Sequence, residues 1–411
     1  MTTQTLIRNG LLFDSRAGLL AGERDILVDG GRIREVDGCG TIRSTGARVI
    51  DLRGRTVMPG LCDAHVHVMA GSADLAALDG WSPYYQAAKA GQIMAGMLKR
   101  GFTTVRDTGG GDWGLQLAVE HGLIAGPRLI QGGPVLSPTG GHADFRGPGA
   151  AGIDPCACCT GLGRIVDGVP EMLRACRDAI RRHAGHIKLV ISGGVSSEHD
   201  PITAMQFSAD EIRAAVEEAE SAEIYVTAHG HPARAIKRAL KLGVRCIEHG
   251  TMLDRDCIDL FLEKDAWLVP TMSILECLHE RGPEAGLPQR SMEKLAAVRP
   301  TAMASMEMAY KAGVKLAYGT DLLGILHDEQ SREFRIRAEV MAPGDILQQA
   351  TINAARLFNR EGDLGELVPG ARADILAIDG NPLEDLGLLE GQGRHMALVM
   401  KDGEAVKNEL N

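Results

Sequence analysis

Two histidines separated by one residue, His65 and His67, carry the clearest chemistry in the sequence. A β-strand turns alternate side chains to the same face, so this spacing can bring both imidazoles to one metal ion. The pair therefore predicts a metal site. Because His-x-His also occurs by chance, the pair is weak evidence until it is shown to have partners.

Further polar residues lie at or near the ends of later apolar runs: Lys188, His229, His249 and Asp321. Each has an alternative explanation, since a lone histidine is more often a hydrogen-bonded structural residue and a strand-end aspartate often caps the next helix. Lys188 is the least expected, because a buried, charged lysine needs a partner or a changed charge state. The coincidence of all six residues favours a metal site.

The elements that must position these residues alternate along the chain. One apolar run ends at His67, and seven more follow at residues 101–107, 127–132, 187–192, 224–229, 244–249, 266–270 and 314–321. Helical stretches separate several of them, most clearly residues 209–220. Eight strand–helix units predict a (β/α)8 TIM barrel, whose active site is built at the carboxyl ends of the strands. A doubly wound open sheet is the alternative, but no Gly-x-Gly-x-x-Gly follows a first strand to support it.

Both ends of the chain differ from this body, because they contain short strands separated by Gly-rich turns. We expect the two ends to pair into one small composite β-sandwich domain, residues 1–58 and 352–411, beside a barrel domain at 59–351. Residues 137–165 are rich in Gly, Pro and Cys, and are predicted to form a long loop. Long loops in compact domains are usually functional.

Composition excludes several classes of function. Acidic residues number 54 against 44 basic ones, aromatics are 4%, and no basic stripe is present, so a nucleic-acid partner is not expected. The N-terminal residues lack the pattern of a signal peptide, and no apolar stretch is long enough to span a membrane, so no membrane association is expected. Nine scattered cysteines are typical of thiols in a reducing compartment, which predicts a cytoplasmic protein.

The chain resembles the amidohydrolase superfamily over nearly its whole length. Residues 57–67 (VMPGLCDAHVH) resemble its first-strand signature, and residues 369–375 (PGARADI) its C-terminal signature. Within the superfamily the chain is similar to the imidazolonepropionase-like branch, in particular to binuclear zinc prolidases and carboxypeptidases. The stretches that carry this similarity are residues 101–107, 139–144, 187–194, 247–250, 319–321 and 399–403.

The resemblance implies a role for each candidate ligand. His65, His67 and Asp321 would bind one divalent metal ion, His229 and His249 would bind a second, and Lys188, carboxylated by carbon dioxide, would bridge both. Zinc suits these imidazole and carboxylate ligands. The two ions would share a water and supply hydroxide near neutral pH, while Asp321 acts as general base and then general acid toward the leaving nitrogen.

Other residues are candidates for contact with the substrate. His142 would meet a carbonyl oxygen or carboxylate, although it could equally make a turn hydrogen bond. His231 stands where related prolidases are expected to have tyrosine, so it could donate to a tetrahedral intermediate, mark a different leaving group or bind metal in place of His229. Arg332 could meet a substrate carboxylate or simply be solvated at a helix start. Cys156, Cys158 and Cys159 lack the spacing of a zinc site and are read as loop thiols.

These observations predict an amidohydrolase that cleaves the C-terminal amide of dipeptides or N-acyl amino acids, with Xaa-Pro as the first choice of substrate. The alternative enzyme hydrolyses a cyclic amide, a urea, a carbamate or a xenobiotic amide such as ochratoxin. The non-enzyme alternative is a metal-free binding protein, against which the complete set of six ligand types argues. The resemblance also implies a homo-oligomer, with an octamer as the candidate assembly.

Overall fold

The computed structural model describes residues 4–147, 161–197 and 199–410. Its strands are β1 (Thr5–Asp14), β2 (Leu19–Asp29), β3 (Arg32–Gly38), β4 (Arg48–Asp51), β5 (Thr56–Pro59), β6 (Leu61–Val66), β7 (Phe102–Asp107), β8 (Arg128–Gln131), β9 (Val135–Ser137), β10 (Gly163–Ile165), β11 (Ile187–Val190), β12 (Val226–Pro232), β13 (Cys246–Met252), β14 (Trp267–Val269), β15 (Lys315–Leu316), β16 (Ile375–Ile378), β17 (Met396–Lys401) and β18 (Glu404–Asn408).

The α-helices are α1 (Pro83–Lys99), α2 (Trp113–Glu120), α3 (Val169–Arg181), α4 (Ala209–Ser221), α5 (Ala233–Lys241), α6 (Arg255–Glu263), α7 (Met272–Ala285), α8 (Gln289–Lys311), α9 (Arg332–Arg337), α10 (Pro343–Gln349) and α11 (Ile352–Leu357). Short 3-10 helices span Ala76–Gly80, Gly324–Glu329 and Leu386–Leu389. In the described part of the chain, no helix is long and apolar enough to cross a membrane.

Local sequence explains where these elements begin. Helix α4 starts with a capping box, in which the Ser208 hydroxyl accepts from the Glu211 backbone amide and the Glu211 carboxylate accepts from the Ser208 amide. The helix covers the stretch 209–220 that the sequence predicts. Strands β6 and β12 are buried along their whole length, as expected for parallel strands covered on both faces.

The body of the chain forms two parallel sheets. A seven-stranded sheet has the order β10-β9-β11-β12-β13-β14-β15, and a three-stranded sheet has the order β6-β7-β8. Backbone hydrogen bonds link them on both sides. The Ala64 amide donates to the Tyr318 carbonyl at 2.7 Å, which connects β6 to the segment after β15. On the other side, the Gly185 amide, which precedes β11, donates at 2.9 Å to the carbonyl of Gln131, the last residue of β8. The fold is therefore mixed α/β, and its strands run in parallel around the candidate ligands.

Strands from both chain ends share one further sheet, in the order β18-β17-β16-β5-β1-β2-β3 with β4 beside β1. Strand β5, from the N-terminal end, pairs antiparallel with β16, from the C-terminal end. The two chain ends therefore share one sheet, and the composite β-sandwich domain stays a prediction.

Each of the eight predicted runs in the body contains a strand, but the predicted loop 137–165 is wrong at its two ends. Ser137 closes β9, and residues 163–165 form β10, which pairs in parallel with β9. Both strands have three residues, too few for an apolar periodicity to stand out in the sequence. The cysteines at 156, 158 and 159 lie outside the described residues.

Candidate metal centre

Three candidate ligands converge where β6 ends beside the segment after β15. His65 lies within β6 and His67 follows its last residue, while the Asp321 amide donates to the His65 carbonyl at 2.8 Å. The two Nε2 atoms are 3.4 Å apart, and each lies 3.3 Å from Oδ1 of Asp321. A His-His-Asp group of this size could hold a metal ion. An ion bonded to all three atoms would lie about 2 Å from each, the ordinary length of a Zn–N bond.

The outer ring nitrogens of both histidines already have partners. Nδ1 of His65 lies 2.7 Å from a Glu248 carboxylate oxygen, and Nδ1 of His67 lies 2.8 Å from the Gly109 carbonyl oxygen. Because a carbonyl only accepts, Nδ1 of His67 carries a proton, and in the neutral ring Nε2 presents a lone pair toward Asp321. Metal-ligating histidines are normally oriented by such outer hydrogen bonds. The donor set therefore fits a divalent cation.

The charge state of Asp321 agrees with this arrangement. Burial alone would raise the pKa of its carboxyl group, but the charge and hydrogen bonds of His65, with the hydrogen bond of His67, hold that pKa well below its usual range. The backbone at Asp321 (φ 57°) and at His249 (φ 70°) occupies the left-handed region that favours glycine. Strained backbone of this kind clusters at functional sites.

The second group of candidate ligands lines the same cavity. Lys188 lies in β11, His229 in β12 and His249 in β13. The His249 ring centroid is 5.0 Å from that of His65 and 4.6 Å from that of His229. Nδ1 of His249 is 2.8 Å from the Thr271 hydroxyl. All six sequence-predicted ligands are thus brought together.

Lys188 is 2% exposed. Its ammonium makes no hydrogen bond or ion pair with any residue that the structure describes. Burial lowers the pKa of the amine, against the attraction of Glu248 and Asp321. Burial of a charged lysine without a partner is costly. The sequence-based expectation that this lysine needs a partner or a changed charge state therefore holds in the fold.

His142 and His231 lie at the rim of the same group. The His142 ring stacks on His229 with centroids 4.2 Å apart, and the His231 ring meets His229 edge-on at 4.7 Å. Nδ1 of His231 is 2.8 Å from the Thr251 hydroxyl. Burial lowers the pKa of His142 to about 4 and that of His231 to about 3. Both rings are therefore neutral near pH 7.

Apolar side chains form much of the remaining cavity wall, including Leu75, Phe145, Leu162, Ile274, Leu275 and Leu278. Arg332 does not line this cavity; its guanidinium forms a two-bond ion pair with Glu280 at 2.5 and 2.6 Å. Its contact with a substrate carboxylate stays a prediction.

Sequence reasoning missed a buried pair behind the ligands. Glu248 binds Nδ1 of His65 with one oxygen, and its other oxygen accepts from Nη2 of Arg106 at 2.6 Å. Arg106 also donates to the Ala64 carbonyl at 2.6 Å, next to His65. The sequence did contain a sign of this pair, because Arg106 and Glu248 are charged residues within apolar runs, as Lys188 is. Glu248 therefore orients the His65 ring through Nδ1, and Arg106 holds both Glu248 and the adjacent Ala64 carbonyl.

Comparison with known proteins gives three consistent relatives. A model of the amidohydrolase family matches residues 56–406. Ochratoxinase from Aspergillus niger is 33% identical over 370 residues, covering 85% of this chain and 75% of that protein. The crystal structure of a prolidase complexed with N-methylphosphonate-L-proline has 44% identity and a TM-score of 0.96, over 99% of this chain and 100% of that one. A Xaa-Pro dipeptidase with bound methionine has 31% identity and a TM-score of 0.86, over 99% and 100%.

Proposed function

We propose, from the premise that this chain belongs to the amidohydrolase family, that it cleaves the C-terminal amide of dipeptides or N-acyl amino acids, with Xaa-Pro dipeptides first. The observation that carries the proposal is the His65–His67–Asp321 triangle, which opens on the cavity lined by Lys188, His229 and His249. The likeness to a prolidase with a proline phosphonate bound supports this choice of substrate.

Two divalent ions, with zinc as our choice, would be held by these residues. His65, His67 and Asp321 would hold one, His229 and His249 the other, and a carbamate on Lys188 would join them. Lys188 is buried and its amine has no hydrogen-bond or ion-pair partner within the described ranges, which supports the carbamate, since carboxylation replaces a buried cation with an anion that the metals would neutralise. When bound, the ions would activate water near neutral pH and polarise the amide carbonyl.

The protein's own groups would move the protons and orient the substrate. Asp321, held as a carboxylate, would accept a proton from the attacking water as the new C–O bond forms. It would return that proton to the amide nitrogen as the C–N bond breaks, so that the products are a carboxylic acid and an amine. His142 and His231 lie beside His229, where their rings would contact the substrate carbonyl or the developing oxyanion.

The architecture and setting extend the same proposal. We infer that the two linked parallel sheets close into a (β/α)8 barrel over residues 59–351, and that residues 1–58 and 352–411 form a β-sandwich domain. The hydrogen bonds from Ala64 to Tyr318 and from Gly185 to Gln131 support closure on both sides. The scattered cysteines favour a cytoplasmic location, and the family resemblance favours a homo-oligomer, with an octamer as the candidate assembly.

A substrate screen tests the proposal directly. Protein loaded with zinc is incubated with a library of dipeptides, N-acyl amino acids and cyclic imides. Released amine is measured for the first two classes, and loss of the imide is measured for the third, because its ring opening releases no amine. Release of amine from Xaa-Pro, absent in the His65→Ala and Asp321→Ala variants, is the expected result. Turnover of cyclic imides alone would overturn the substrate class, and fewer than one bound metal per chain would favour the metal-free binding protein.

A second candidate substrate class is an amide with a bulky aromatic acyl group. The apolar wall of the cavity and the 33% identity to ochratoxinase favour it. Comparing kcat/KM for N-aroyl amino acids with that for Xaa-Pro dipeptides distinguishes the two classes. A preference for the aroyl compounds of tenfold or more would assign the chain to this second class.

A further inference from the structure

We propose that Asp200 and Ser197 are positioning residues for His142, and that they leave Nε2 as the one ring nitrogen that His142 offers to the substrate. The inference rests on the proposed function, because it assigns a substrate-facing role to His142. It adds to that function a set of residues outside the predicted metal ligands, all from the segment that follows β11.

The positioning chain consists of three side chains in contact. Nδ1 of His142 lies 2.7 Å from the Ser197 hydroxyl oxygen, and that hydroxyl makes a short hydrogen bond to Oδ1 of Asp200. Asp200 is 5% exposed. Its oxygens also accept from the Lys294 ammonium at 3.2 Å and from the Gly194 amide at 3.2 Å. Among the described residues, the Lys294 ammonium, the Gly194 amide and the Gln206 side-chain amide all donate to this carboxylate, which therefore acts as an acceptor.

A proton count then fixes the orientation of the ring. Ser197 has a single hydroxyl proton, which goes to Asp200 because the carboxylate has none to give. The serine oxygen must therefore accept from Nδ1 of His142. Nδ1 carries a proton whether the ring is neutral or charged, and only Nε2 remains for the cavity. A ring oriented by a third group in this way resembles the general arrangement of a positioned catalytic base.

The same carboxylate also holds the backbone of residue 142. The Gln206 side-chain amide donates to Oδ2 of Asp200 at 3.0 Å. The side-chain oxygen of Gln206, Oε1, accepts from the His142 backbone amide at 2.9 Å. The His142 ring also packs closely against Gly194, because a Cβ added at Gly194 would lie 2.2 Å from Cε1 and 2.3 Å from Nε2 of that ring. The stacking on His229 adds a further contact. Asp200 thus acts on the ring and on its backbone.

A double-mutant cycle tests the inference with the best substrate of the screen. Ser197→Ala and Asp200→Ala should each lower kcat by about 10- to 100-fold, because a small misplacement of a reacting group costs this much. Zinc content should not change. In the His142→Ala background neither substitution should cause further loss, and Ser197→Thr, which keeps the hydroxyl, should retain most activity. Asp210→Asn, at an exposed acid on α4, is the matched control.

Losses of equal size in the presence and absence of His142 would overturn the proposal, because Asp200 would then act independently of the ring. Unchanged kcat in both single variants would overturn it as well.

A second measurement needs no substrate. In protein labelled with ¹⁵N-histidine, the ring signals that disappear in His142→Ala are assigned to His142. Their ¹⁵N chemical shifts should show a protonated Nδ1, and Ser197→Ala should change those shifts. An unprotonated Nδ1 would contradict the proton count. If no library compound is cleaved, the proposed function fails, while this spectrum still decides whether Ser197 orients the ring.

Discussion

Three histidines of the candidate metal centre are each oriented by a partner that is distant in sequence. Glu248 binds the outer nitrogen of His65, the Gly109 carbonyl that of His67, and Thr271 that of His249. The ligand types were readable from the sequence, because six potential ligands fall at or near the ends of apolar runs. The partners were not, because no spacing rule ties a buried glutamate, a buried threonine or a backbone carbonyl to a histidine elsewhere in the sequence.

Replacing Lys188 tests the bridging role. Lys188→Ala should abolish activity and sharply lower zinc content, because the two ions would lose the anion between them. Metal analysis and assay of the purified variant measure both effects. Lys311→Ala, at an exposed lysine paired with Glu307, should change neither. Full activity with unchanged zinc in Lys188→Ala would eliminate the carbamate.

Replacing Asp321 should affect turnover far more than binding. Asp321→Asn should lower kcat by about 100-fold or more, because an amide cannot carry the proton from water to the leaving nitrogen. Binding of a phosphonate analogue of the dipeptide should weaken much less, which calorimetry can measure. A loss of affinity as large as the loss of kcat would assign Asp321 to binding alone.

Glu248 links metal affinity to stability. Glu248→Gln should weaken zinc binding by about 10- to 100-fold through His65. It should also cost about 3 kcal/mol of unfolding free energy, because the buried Arg106 guanidinium loses its counter-charge. Zinc titration and urea unfolding check the two effects. The exposed Glu263→Gln change on α6 is the control, and an unaltered zinc affinity would contradict the role assigned to Glu248.

At the scale of elements, apolar run length decided what the sequence could predict. Runs of four or more buried residues, such as β7 and β11, were predicted correctly. Strands β9 and β10 were missed, because each has only three residues beside or within a stretch rich in Gly and Pro, whereas the equally short β14 lies in the apolar run 266–270. The eighth run was predicted at 314–321, but only Lys315–Leu316 is a strand. The remaining residues leave the sheet to bring Asp321 against the end of β6.

Gly319 allows the segment after β15 to leave the sheet and pass close to His65. A Cβ at this position would lie 2.3 Å from Cγ1 of Val269 and 2.9 Å from Cβ of His65. Gly319→Ala should therefore cost about 1–3 kcal/mol of stability through overpacking, and should lower zinc content by displacing His65. Gly80→Ala, where an added Cβ meets nothing within 4 Å, is the control. Equal stability of the two variants would show that the segment after β15 adapts freely.

At the scale of the whole molecule, ion pairs join distant parts of the chain. Arg128 at the start of β8 binds Asp374 at 2.7 Å and Asp402 at 2.5 Å, which fastens the parallel strands to the sheet of the chain ends. Asp363 receives hydrogen bonds from Arg32 in β3 and from Arg360. The sequence predicted that the ends would pair, yet it could not give these partners, since each charged residue has many possible partners of opposite charge along the chain.

Asp363 provides a pH test of the joined ends. Burial alone would raise its pKa, but hydrogen bonds from Arg360 and Arg32 lower that pKa from 3.8 to about 2. The stabilisation is therefore complete above pH 3.8 and is lost as the pH falls toward 2. In metal-free protein, Asp363→Asn should lose less stability than the wild type between pH 4 and pH 2. Parallel unfolding curves for the two proteins over this range would refute the assignment.

The pairing of β5 with β16 also sets an order of events during synthesis. Strand β5 leaves the ribosome more than three hundred residues before its antiparallel neighbour is made, and chains grow at about 5–20 residues per second. For tens of seconds the nascent N-terminal strands present an unpaired edge, the kind of surface that templates aggregation. Slow translation or premature termination would prolong that exposure, so folding of this protein in a cell depends on the last strands arriving promptly or on a chaperone shielding the edge.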